Sequence, residues 1–453
     1  MDLQESIDRI AIVGAGPVGL TLAIALAERG FGIDIYEPRY TDSEGAQLSN
    51  GRSINFTIME RGLKAFDIIG MRDQIIEIGV VLKQRTVHFP DDIMINPFGG
   101  NITSTVRRED LQRVLYKKAA EFSQIKLINA RVTSVDIKKG EVAWSGQQET
   151  GVQAYLQVFG ADGAHSTVRQ SFQKYHWFEL QQETLNLGYI EFLFPPELAK
   201  GNFEADTLHL WPRPNCYLFG LPNNDGSITI NFFYPLTGPN SFEQIKSNED
   251  FKNVFTQLFP NTLKCIPDLD SLWSGLKVSY LQDFQCFPFS HGRASLIGDA
   301  GHTIQPYQGQ GVNLGLEDVS AIVELFDQHK DDWEKINQEY SLSRKQSARS
   351  AKLLTDLTLV EYTKELPDPS FKQVCRIIGY LLKNYSPVFC THFQLIAFTH
   401  ADYCEAEIRQ NVERKIIQEL VQRSDLNMIL QKDVKNQEIL KLLARYGLRE
   451  EKK

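Results

Sequence analysis

The hydrophobic pattern of residues 9–39 changes period twice. A short apolar run at Ile10, Ile12 and Val13 leads into glycines. Apolar residues at helical spacing follow over residues 20–26, and a second apolar run covers residues 33–36. Runs of these lengths predict a strand, a helix and a second strand, in that order. The chain is therefore expected to open with a βαβ unit.

The pattern differs further along the chain. Residues 126–137 read as paired strands, and residues 155–163 as a strand that ends in a turn. Over residues 207–210, 216–221 and 227–234, apolar or alternating runs are separated by prolines and by N-N-D-G, which predicts an antiparallel sheet. Helical periodicity dominates from Asn313 onward and covers almost everything beyond Asp368.

Length and composition narrow the function classes. A chain of 453 residues with 42% hydrophobic and 23% charged positions is globular, and it is longer than one core usually supports. The net charge of -9 argues against a nucleic-acid partner. The six cysteines show no zinc-binding spacing, and a reducing cytoplasm is the expected setting.

No membrane anchor is expected. The first residues are acidic where a secretory signal would be basic, and the last five, 449–453, are almost all charged. Residues 384–401 lack Asp, Glu, Lys and Arg, but they include Pro387 and are only about half apolar. We interpret this stretch as buried core or pocket wall.

The first motif with chemical content is G-A-G-P-V-G at residues 14–19, between the predicted strand and helix. Gly14 permits a tight turn, Gly16 lets the backbone approach a pyrophosphate, and Gly19 allows close packing of the helix. Glu37, at the end of the next strand, can bond a ribose hydroxyl. Together they predict dinucleotide binding.

Two more motifs follow. G-A-D-G at residues 160–163 closes a strand and, taken alone, is a plain strand-end turn. The stretch L-I-G-D-A-G-H at 296–302 presents Asp299 to a polyol, and P-Y-Q-G-Q-G-V-N at 306–313 opens a helix. Amides at a helix start can stabilise the negative charge of a reduced flavin. This combination favours FAD over NAD.

The three motifs together resemble the group A flavin-dependent aromatic hydroxylases. G-R-S-I-N at 51–55, E-R-G at 60–62, T-L-H-L-W-P at 207–212 and G-L-P-N at 220–223 resemble their kynurenine 3-monooxygenase-like branch, over about residues 9–410. The resemblance implies hydroxylation of an aromatic amino-acid-like carboxylate through a C4a-hydroperoxyflavin. L-Kynurenine is the leading substrate, 3-hydroxykynurenine the product, and O2 the co-substrate. NADPH would be a transient electron donor, and the chain has no second glycine fingerprint for it.

The implied fold class is α/β, with a Rossmann-type FAD-binding domain, an antiparallel β-sheet substrate domain and a C-terminal helical region. The FAD-binding domain is expected to be discontinuous, over residues 1–75, 105–180 and 285–370. The substrate domain would take residues 76–104 and 181–284, and the helical region residues 371–453.

The resemblance also assigns site residues. Those expected to contact the cofactor are Gly14, Gly16, Gly19, Glu37, Arg108, Val132, Asp162, Asp299, Val312 and Asn313. Those expected at the flavin face, none of them as an acid or base, are Pro306, Gly309 and Gly311. His88 and His302 are expected to have structural or flavin-contact roles and no role in proton transfer, because hydroxylation by a flavin needs a dry, positioned site more than a protein nucleophile.

For the substrate, Arg85 resembles the arginine that grips the carboxylate and Tyr403 the tyrosine that assists it; Asn55 is a third expected contact. Phe98 stands where the family has a tyrosine, and Thr358 where it has an asparagine, so two polar partners of kynurenine are missing. Without the resemblance, a surface ion pair for Arg85 and a packed aromatic for Tyr403 would be favoured.

Other functions stay open. One alternative is a hydroxylase of another aromatic acid in a biosynthetic pathway, and another is a non-catalytic flavoprotein that binds aromatic ligands. A flavin-dependent halogenase is disfavoured because no two tryptophans lie two residues apart.

Overall fold

The computed structural model describes residues 8–39, 55–147, 149–432 and 434–449. The first four residues of the G-R-S-I-N stretch, 51–54, lie outside these ranges.

The strands, in chain order, are β1 (Arg9–Val13), β2 (Gly32–Tyr36), β3 (Asn55–Ile58), β4 (Val80–Val81), β5 (Gln84–His88), β6 (Ile93–Pro97), β7 (Ser104–Arg107), β8 (Ile125–Ile128), β9 (Ala130–Asp136), β10 (Glu141–Gly146), β11 (Thr150–Ala154), β12 (Gln157–Gly160), β13 (Glu179–Phe194), β14 (Thr207–Arg213), β15 (Cys216–Pro222), β16 (Ile228–Tyr234), β17 (Ser279–Phe287), β18 (Ser290–His291), β19 (Ala294–Leu296) and β20 (His302–Thr303).

The α-helices are α1 (Pro17–Ala27), α2 (Glu60–Ile68), α3 (Arg72–Glu77), α4 (Arg108–Ala119), α5 (Thr167–Phe172), α6 (Pro196–Ala199), α7 (Asn248–Leu258), α8 (Leu272–Gly275), α9 (Gln310–His329), α10 (Trp333–Val360), α11 (Phe371–Tyr385), α12 (His392–Phe398), α13 (Tyr403–Val421), α14 (Leu426–Lys432) and α15 (Gln437–Arg445). A π-helical turn, Glu361–Glu365, continues α10.

The predicted βαβ unit forms the centre of a six-stranded sheet in the order β18-β19-β12-β1-β2-β8. Within it β19, β12, β1, β2 and β8 run parallel, and only β18 is antiparallel to its neighbour. Strands covered on both faces are apolar along their whole length, as β1 and β2 are. Helix α1 is buried almost all round, which is why its sequence shows little polar face.

A second, eight-stranded sheet has the order β20-β17-β13-β16-β15-β14-β5-β6. Its neighbours pair antiparallel except β14 with β5. The predicted antiparallel sheet is therefore confirmed, and so is the α/β fold class. The sheet also recruits β5 and β6, so that residues 84–97 form one of its edges. The domain boundaries themselves stay a prediction.

The prediction that residues 126–137 pair with each other is wrong. Strand β8 pairs with β2 in the six-stranded sheet, whereas β9 pairs with β10 in a separate three-stranded sheet. Alternation of apolar residues identifies a strand, but the partner is decided by which apolar face the neighbouring chain offers.

The C-terminal part of the chain is helical, as predicted. Helices α11 to α15 follow the π-helical turn and enclose an apolar core of their own, around Leu381, Tyr385 and Ile439. Among the described residues, no helix has both the length and the apolar character needed to cross a membrane.

Candidate active site

The glycine turn after β1 is packed too tightly for side chains. Gly14 has a φ of 102°, and a Cβ there would lie 2.5 Å from the carbonyl oxygen of Ala161. A Cβ at Gly19 would lie 2.2 Å from the carbonyl oxygen of Gly14. Gly16 precedes α1 with no side-chain cap, and a Cβ on it would meet nothing within 4 Å. The first amides of α1 are thus left for an external anion, which fits a pyrophosphate.

Glu37 ends β2 with a buried carboxylate. It accepts a hydrogen bond from the Ala15 amide at 3.2 Å and pairs with Arg39, 2.9 Å from Nε to Oε1. Arg108 begins α4; burial and then the charge of Arg39 lower the pKa of Arg108, while Asp299 and Glu37 act in the opposite sense. Three residues predicted to hold the cofactor therefore lie in one electrostatic neighbourhood.

Asp162 has a structural task. Its carboxylate accepts hydrogen bonds from the Ser166 hydroxyl at 2.5 Å and the Thr167 amide at 2.7 Å, and so caps α5. Arg169 of that helix donates to the carbonyl oxygen of Ala300 at 2.9 Å. The G-A-D-G motif therefore acts as a strand-end turn that braces the G-D-A-G motif.

Two other predicted cofactor residues differ in exposure. Asp299 lies in a single helical turn after β19, and its side chain is exposed. Val132 lies on β9, 4% exposed, within the apolar core of the six-stranded sheet. The structure thus gives Asp299 access to a ligand and gives Val132 the surroundings of a core residue.

The third motif makes a sharp turn before α9. A single 3-10 turn runs from Pro306 to Gln308, and Gly309 then takes a φ of 64°, where a Cβ would lie 3.2 Å from Thr57. Gly311 and Val312 lie in the first turn of α9, half-buried. No acidic side chain and no side-chain cap occupies this helix start.

Asn313 fastens that turn to β3. Its amide nitrogen donates to the carbonyl oxygens of Thr57 and Gly309, both at 2.7 Å, and its Oδ1 accepts from the Met59 amide at 2.9 Å. A Cβ on Gly62 would lie only 2.5 Å from that Oδ1. The Asn313 side chain is thereby committed to the protein and is not available to a cofactor.

A cavity of about 320 Å³ lies between the sheet edge at β5 and β6 and the helices α10 to α13. Arg85, Phe98 and Thr358, three of the five predicted substrate residues, line it together. Gln308, from the turn before α9, lines it as well. The cavity therefore joins the predicted carboxylate site to the predicted flavin turn.

Arg85 is set among opposite and aromatic partners. Its Nη2 lies 4.0 Å from Oε1 of Glu361, and its guanidinium carbon lies 6.0 Å from the centroid of the Phe393 ring. Burial acts to lower the pKa of Arg85, but Tyr362 and Glu361 outweigh it and raise that pKa. Arg85 is thus a permanent cation in the cavity wall. Its pair with Glu361 is partly buried, unlike the surface ion pair that would be favoured without the resemblance.

A second charged pair lines the same cavity. Nδ1 of His392 lies 3.0 Å from Oε2 of Glu413. Burial acts to lower the pKa of His392, but the Glu413 carboxylate overcomes it and raises that pKa. Residues 384–401, read from sequence as core or pocket wall, contribute His392 to that wall.

Asn55 and Tyr403 are not among the residues that line the cavity, and their contact with substrate stays a prediction. Asn55 donates to Oδ1 of Asn223 at 2.7 Å. The Tyr403 hydroxyl donates to Oε1 of Gln310 at 2.8 Å, and the Arg61 guanidinium lies 4.0 Å over the Tyr403 ring. Tyr403 begins α13, and its hydroxyl is bonded to the first residue of α9.

Both histidines are structural, as expected. His302 is bonded through Nε2 to Asp318 at 2.7 Å and is 1% exposed. His88 stacks on Trp211 at 4.5 Å, and its Nε2 lies 3.0 Å from Nδ1 of His209. Neither residue is among those that line the cavity.

Comparison with known proteins agrees with this geometry. Residues 8–351 match the FAD binding domain family. Kynurenine 3-monooxygenase of Flavobacterium johnsoniae is 31% identical over 98% of this chain and 100% of that protein. The chain belongs to the group A FAD-dependent aromatic hydroxylases, in their kynurenine 3-monooxygenase-like branch.

Solved structures show the same hydroxylase fold. The tetrameric form of 2-methyl-3-hydroxypyridine-5-carboxylic acid oxygenase superposes with a TM-score of 0.65 at 18% identity, over 82% of this chain and 96% of that one. PqsL of Pseudomonas aeruginosa, solved with 2-aminobenzoylacetate, gives 0.62 at 16% identity, over 81% and 99%.

Sequence reasoning missed several residues of the hydroxylase cavity. Gln308 lies within the P-Y-Q-G-Q-G-V-N motif at 306–313, and its polar side chain next to Gly309 could have indicated a cavity residue. Glu361 and Tyr362 lie in the π-helical turn, which inserts one residue and changes which side chains face inward, so helical periodicity could not find them. His392 could have been suspected only from its place in an uncharged segment.

Proposed function

We propose that this hydroxylase adds one oxygen atom to the ring of an aromatic amino-acid-like carboxylate, with kynurenine as the leading substrate. NADPH would supply two electrons and O2 the oxygen. The products are then the ring-hydroxylated acid, NADP⁺ and water, which balances both oxygen atoms. The observation that carries the proposal is Arg85, a cation held in an aromatic-walled cavity that also reaches the flavin turn.

The protein has the residues to hold FAD. The amides at the start of α1 fit its pyrophosphate, Glu37 a ribose, and Arg108 and Asp299 the chain between. The amides of Gly311 and of the residues after it fit an anionic ring. When bound, FAD supplies the redox chemistry and the activation of oxygen.

The cavity residues would bind and orient the substrate. The Arg85 fork suits a carboxylate, which it can bond through two parallel hydrogen bonds. Phe98, Phe393 and Phe398 form an aromatic wall, with centroid separations of 5.6 Å for Phe98 and Phe398 and 6.1 Å for Phe393 and Phe398. Such a wall holds a planar ring and excludes water from it.

Phe98 and Thr358 are the two cavity residues that depart from the family's pattern, and both bear on the choice of substrate. Phe98 has no hydroxyl to offer, and the Thr358 hydroxyl donates to the Leu354 carbonyl oxygen at 3.0 Å. These departures favour, as a second candidate, another aromatic acid whose polar groups differ from those of kynurenine. We retain both, because either would use Arg85.

The test is a screen of aromatic acids, kynurenine included, by their stimulation of NADPH oxidation in the FAD-loaded protein. Product mass should rise by one oxygen atom. Arg85→Ala should then raise the dissociation constant of the best acid about 10- to 100-fold, because a charged hydrogen-bonding partner is lost. Arg29→Ala, which removes a surface pair with Asp327, is the matched control and should change nothing.

Two outcomes would reject the proposal. The reaction is excluded if no aromatic acid accelerates NADPH oxidation, and the site is excluded if Arg85→Ala retains full affinity. A non-catalytic flavoprotein would show a ligand-induced spectral shift in stopped-flow absorbance without ligand-dependent reduction of the flavin by NADPH.

A further inference from the structure

Two residues that line the cavity carry a buried polar atom with no hydrogen-bond partner among the described residues, Oε1 of Gln308 and Nδ2 of Asn96, and Gln308 is the more buried residue. Gln308 is 6% exposed and lines the cavity, and its side-chain Oε1 accepts no hydrogen bond from any residue in the described part of the chain. Burying an amide oxygen without a donor is unfavourable, so such atoms usually have a partner. The atom that satisfies this oxygen is therefore to be sought in what enters the cavity.

The hydrogen-bond network fixes which end of the Gln308 amide is free. The Thr358 hydroxyl donates its one proton to the carbonyl oxygen of Leu354 at 3.0 Å. It can then only accept from Gln308, whose Nε2 lies 2.5 Å away. In this arrangement the amide presents its oxygen, and not its nitrogen, to the unpartnered side.

The turn that carries Gln308 is held from a second direction. Nε2 of Gln310 donates to the Gln308 carbonyl oxygen at 3.3 Å, and Oε1 of Gln310 accepts from the Tyr403 hydroxyl. Gly309 follows at once in the left-handed conformation, at the start of α9. Gln308 is therefore a fixed acceptor next to the predicted flavin face, not a mobile side chain.

We propose that Gln308 is a specificity-determining residue that accepts a hydrogen bond from an N–H or O–H group on the aromatic ring of the substrate. The inference rests on the proposed function and narrows its substrate class to ring-amino or ring-hydroxy aromatic acids. Arg85 binds the carboxylate and Gln308 the ring substituent. These are also the substituents that make a ring electron-rich enough to be hydroxylated by a flavin.

The expected selectivity between aromatic acids comes from the unpaired Oε1 of Gln308. A ring without a donor would cover Oε1 of Gln308 and leave it unbonded, whereas a ring with a donor supplies the hydrogen bond that this oxygen lacks. An N,N-dimethylated or methoxy ring should be rejected for the same reason. An apolar side chain at this position would not distinguish a ring with a hydrogen-bond donor from a ring without one.

The test measures binding by calorimetry in the oxidised FAD-loaded protein, so that it does not depend on turnover. The probes are L-kynurenine against its analogue without the ring amine, and anthranilate against benzoate. We expect the wild type to prefer the amine-bearing member by about 10- to 100-fold. Gln308→Leu should bring the two members within about threefold, chiefly by weakening the amine-bearing one.

Two further variants control for folding. Gln422→Leu makes the same change at an exposed glutamine that is not among the residues lining the cavity, and it should leave the preference intact. Thr358→Val keeps the shape but removes the acceptor that orients Gln308, so it should give an intermediate preference even if Gln308→Leu fails to fold.

The outcomes separate the two proposals. Arg85-dependent binding of aromatic acids with no preference for the amine overturns the inference and leaves the proposed function standing. A preference that persists in Gln308→Leu, together with a flavin absorbance spectrum altered without ligand, overturns it too, because the acceptor then serves the cofactor. Failure of the wild type to bind any aromatic acid removes the proposed function itself.

Discussion

The E-R-G stretch at residues 60–62 yields the sharpest prediction about stability. Arg61 is 1% exposed on α2, and its guanidinium donates to the carbonyl oxygens of Ile396 at 2.9 Å and Ala401 at 2.8 Å. It also pairs with Glu317 at 2.7 Å and stacks on Tyr403. One side chain therefore joins the FAD-binding part of the molecule to two segments of the C-terminal helices.

We expect Arg61→Met to lower the free energy of unfolding by about 3 to 5 kcal/mol, as when one member of a buried charged network is removed. Two carbonyl oxygens lose a charged donor, at about 1 to 3 kcal/mol each. Glu317 keeps Arg344 at 2.7 Å, which limits the loss, and methionine retains much of the packing.

The assay is equilibrium denaturation in guanidinium chloride, combined with limited proteolysis of the native protein. Because Arg61 contacts α12 and the segment before α13, cleavage should appear first beyond residue 390. The matched control is Arg72→Met, on the neighbouring α3. Arg72 pairs with Glu60 and Asp67 near the surface, where a change below about 1 kcal/mol is expected. Equal effects of the two substitutions would refute the reasoning.

Two further predictions concern the cofactor and pH. Gly62→Ala places a Cβ 2.5 Å from Oδ1 of Asn313, so FAD titration of the apoprotein should show affinity weakened about tenfold, whereas Gly379→Ala, whose Cβ meets nothing within 4 Å, should not. Unchanged affinity in Gly62→Ala would contradict this account of the turn. Burial lowers the pKa of His88 to about 3 in the folded protein. Below about pH 6.5 this histidine is therefore protonated in the unfolded chain but stays neutral in the folded protein. His88 therefore lowers the free energy of unfolding as the pH falls from about 6.5 toward 3, by about 2 kcal/mol at pH 5. In denaturation at pH 7 and pH 5, His88→Phe should lose about 2 kcal/mol less between the two pH values than the wild type. His176→Phe, at an exposed histidine, should lose as much as the wild type.

Much of the FAD-binding part could be read from local sequence. The period of apolar residues and the glycines at 14, 16 and 19 specify a strand, a turn and a helix within twenty residues, because turn chemistry and helix starts depend on neighbours a few positions away. Glu37 and Arg108 were placed correctly at the end of β2 and the start of α4 for the same reason.

Tertiary structure decided what the distant side chains touch. Arg85 and Thr358 are 273 positions apart in the sequence, yet they line one cavity. Tyr403 looked equivalent to them in sequence and instead holds Gln310. Local pattern fixes the face of an element, but the way α13 packs on α10, α11 and α12 decides where the hydroxyl ends.

The same limit explains the free oxygen of Gln308. The sequence by itself determined that a glutamine precedes Gly309 and predicted that this turn belongs to a flavin site. Its orientation depended on a hydroxyl fifty residues away, on the last turns of α10, whose single proton was already given to its own helix. Hydrogen bonds between distant elements exist only once those elements have packed, and so only the folded chain shows which polar atom of Gln308 has no partner.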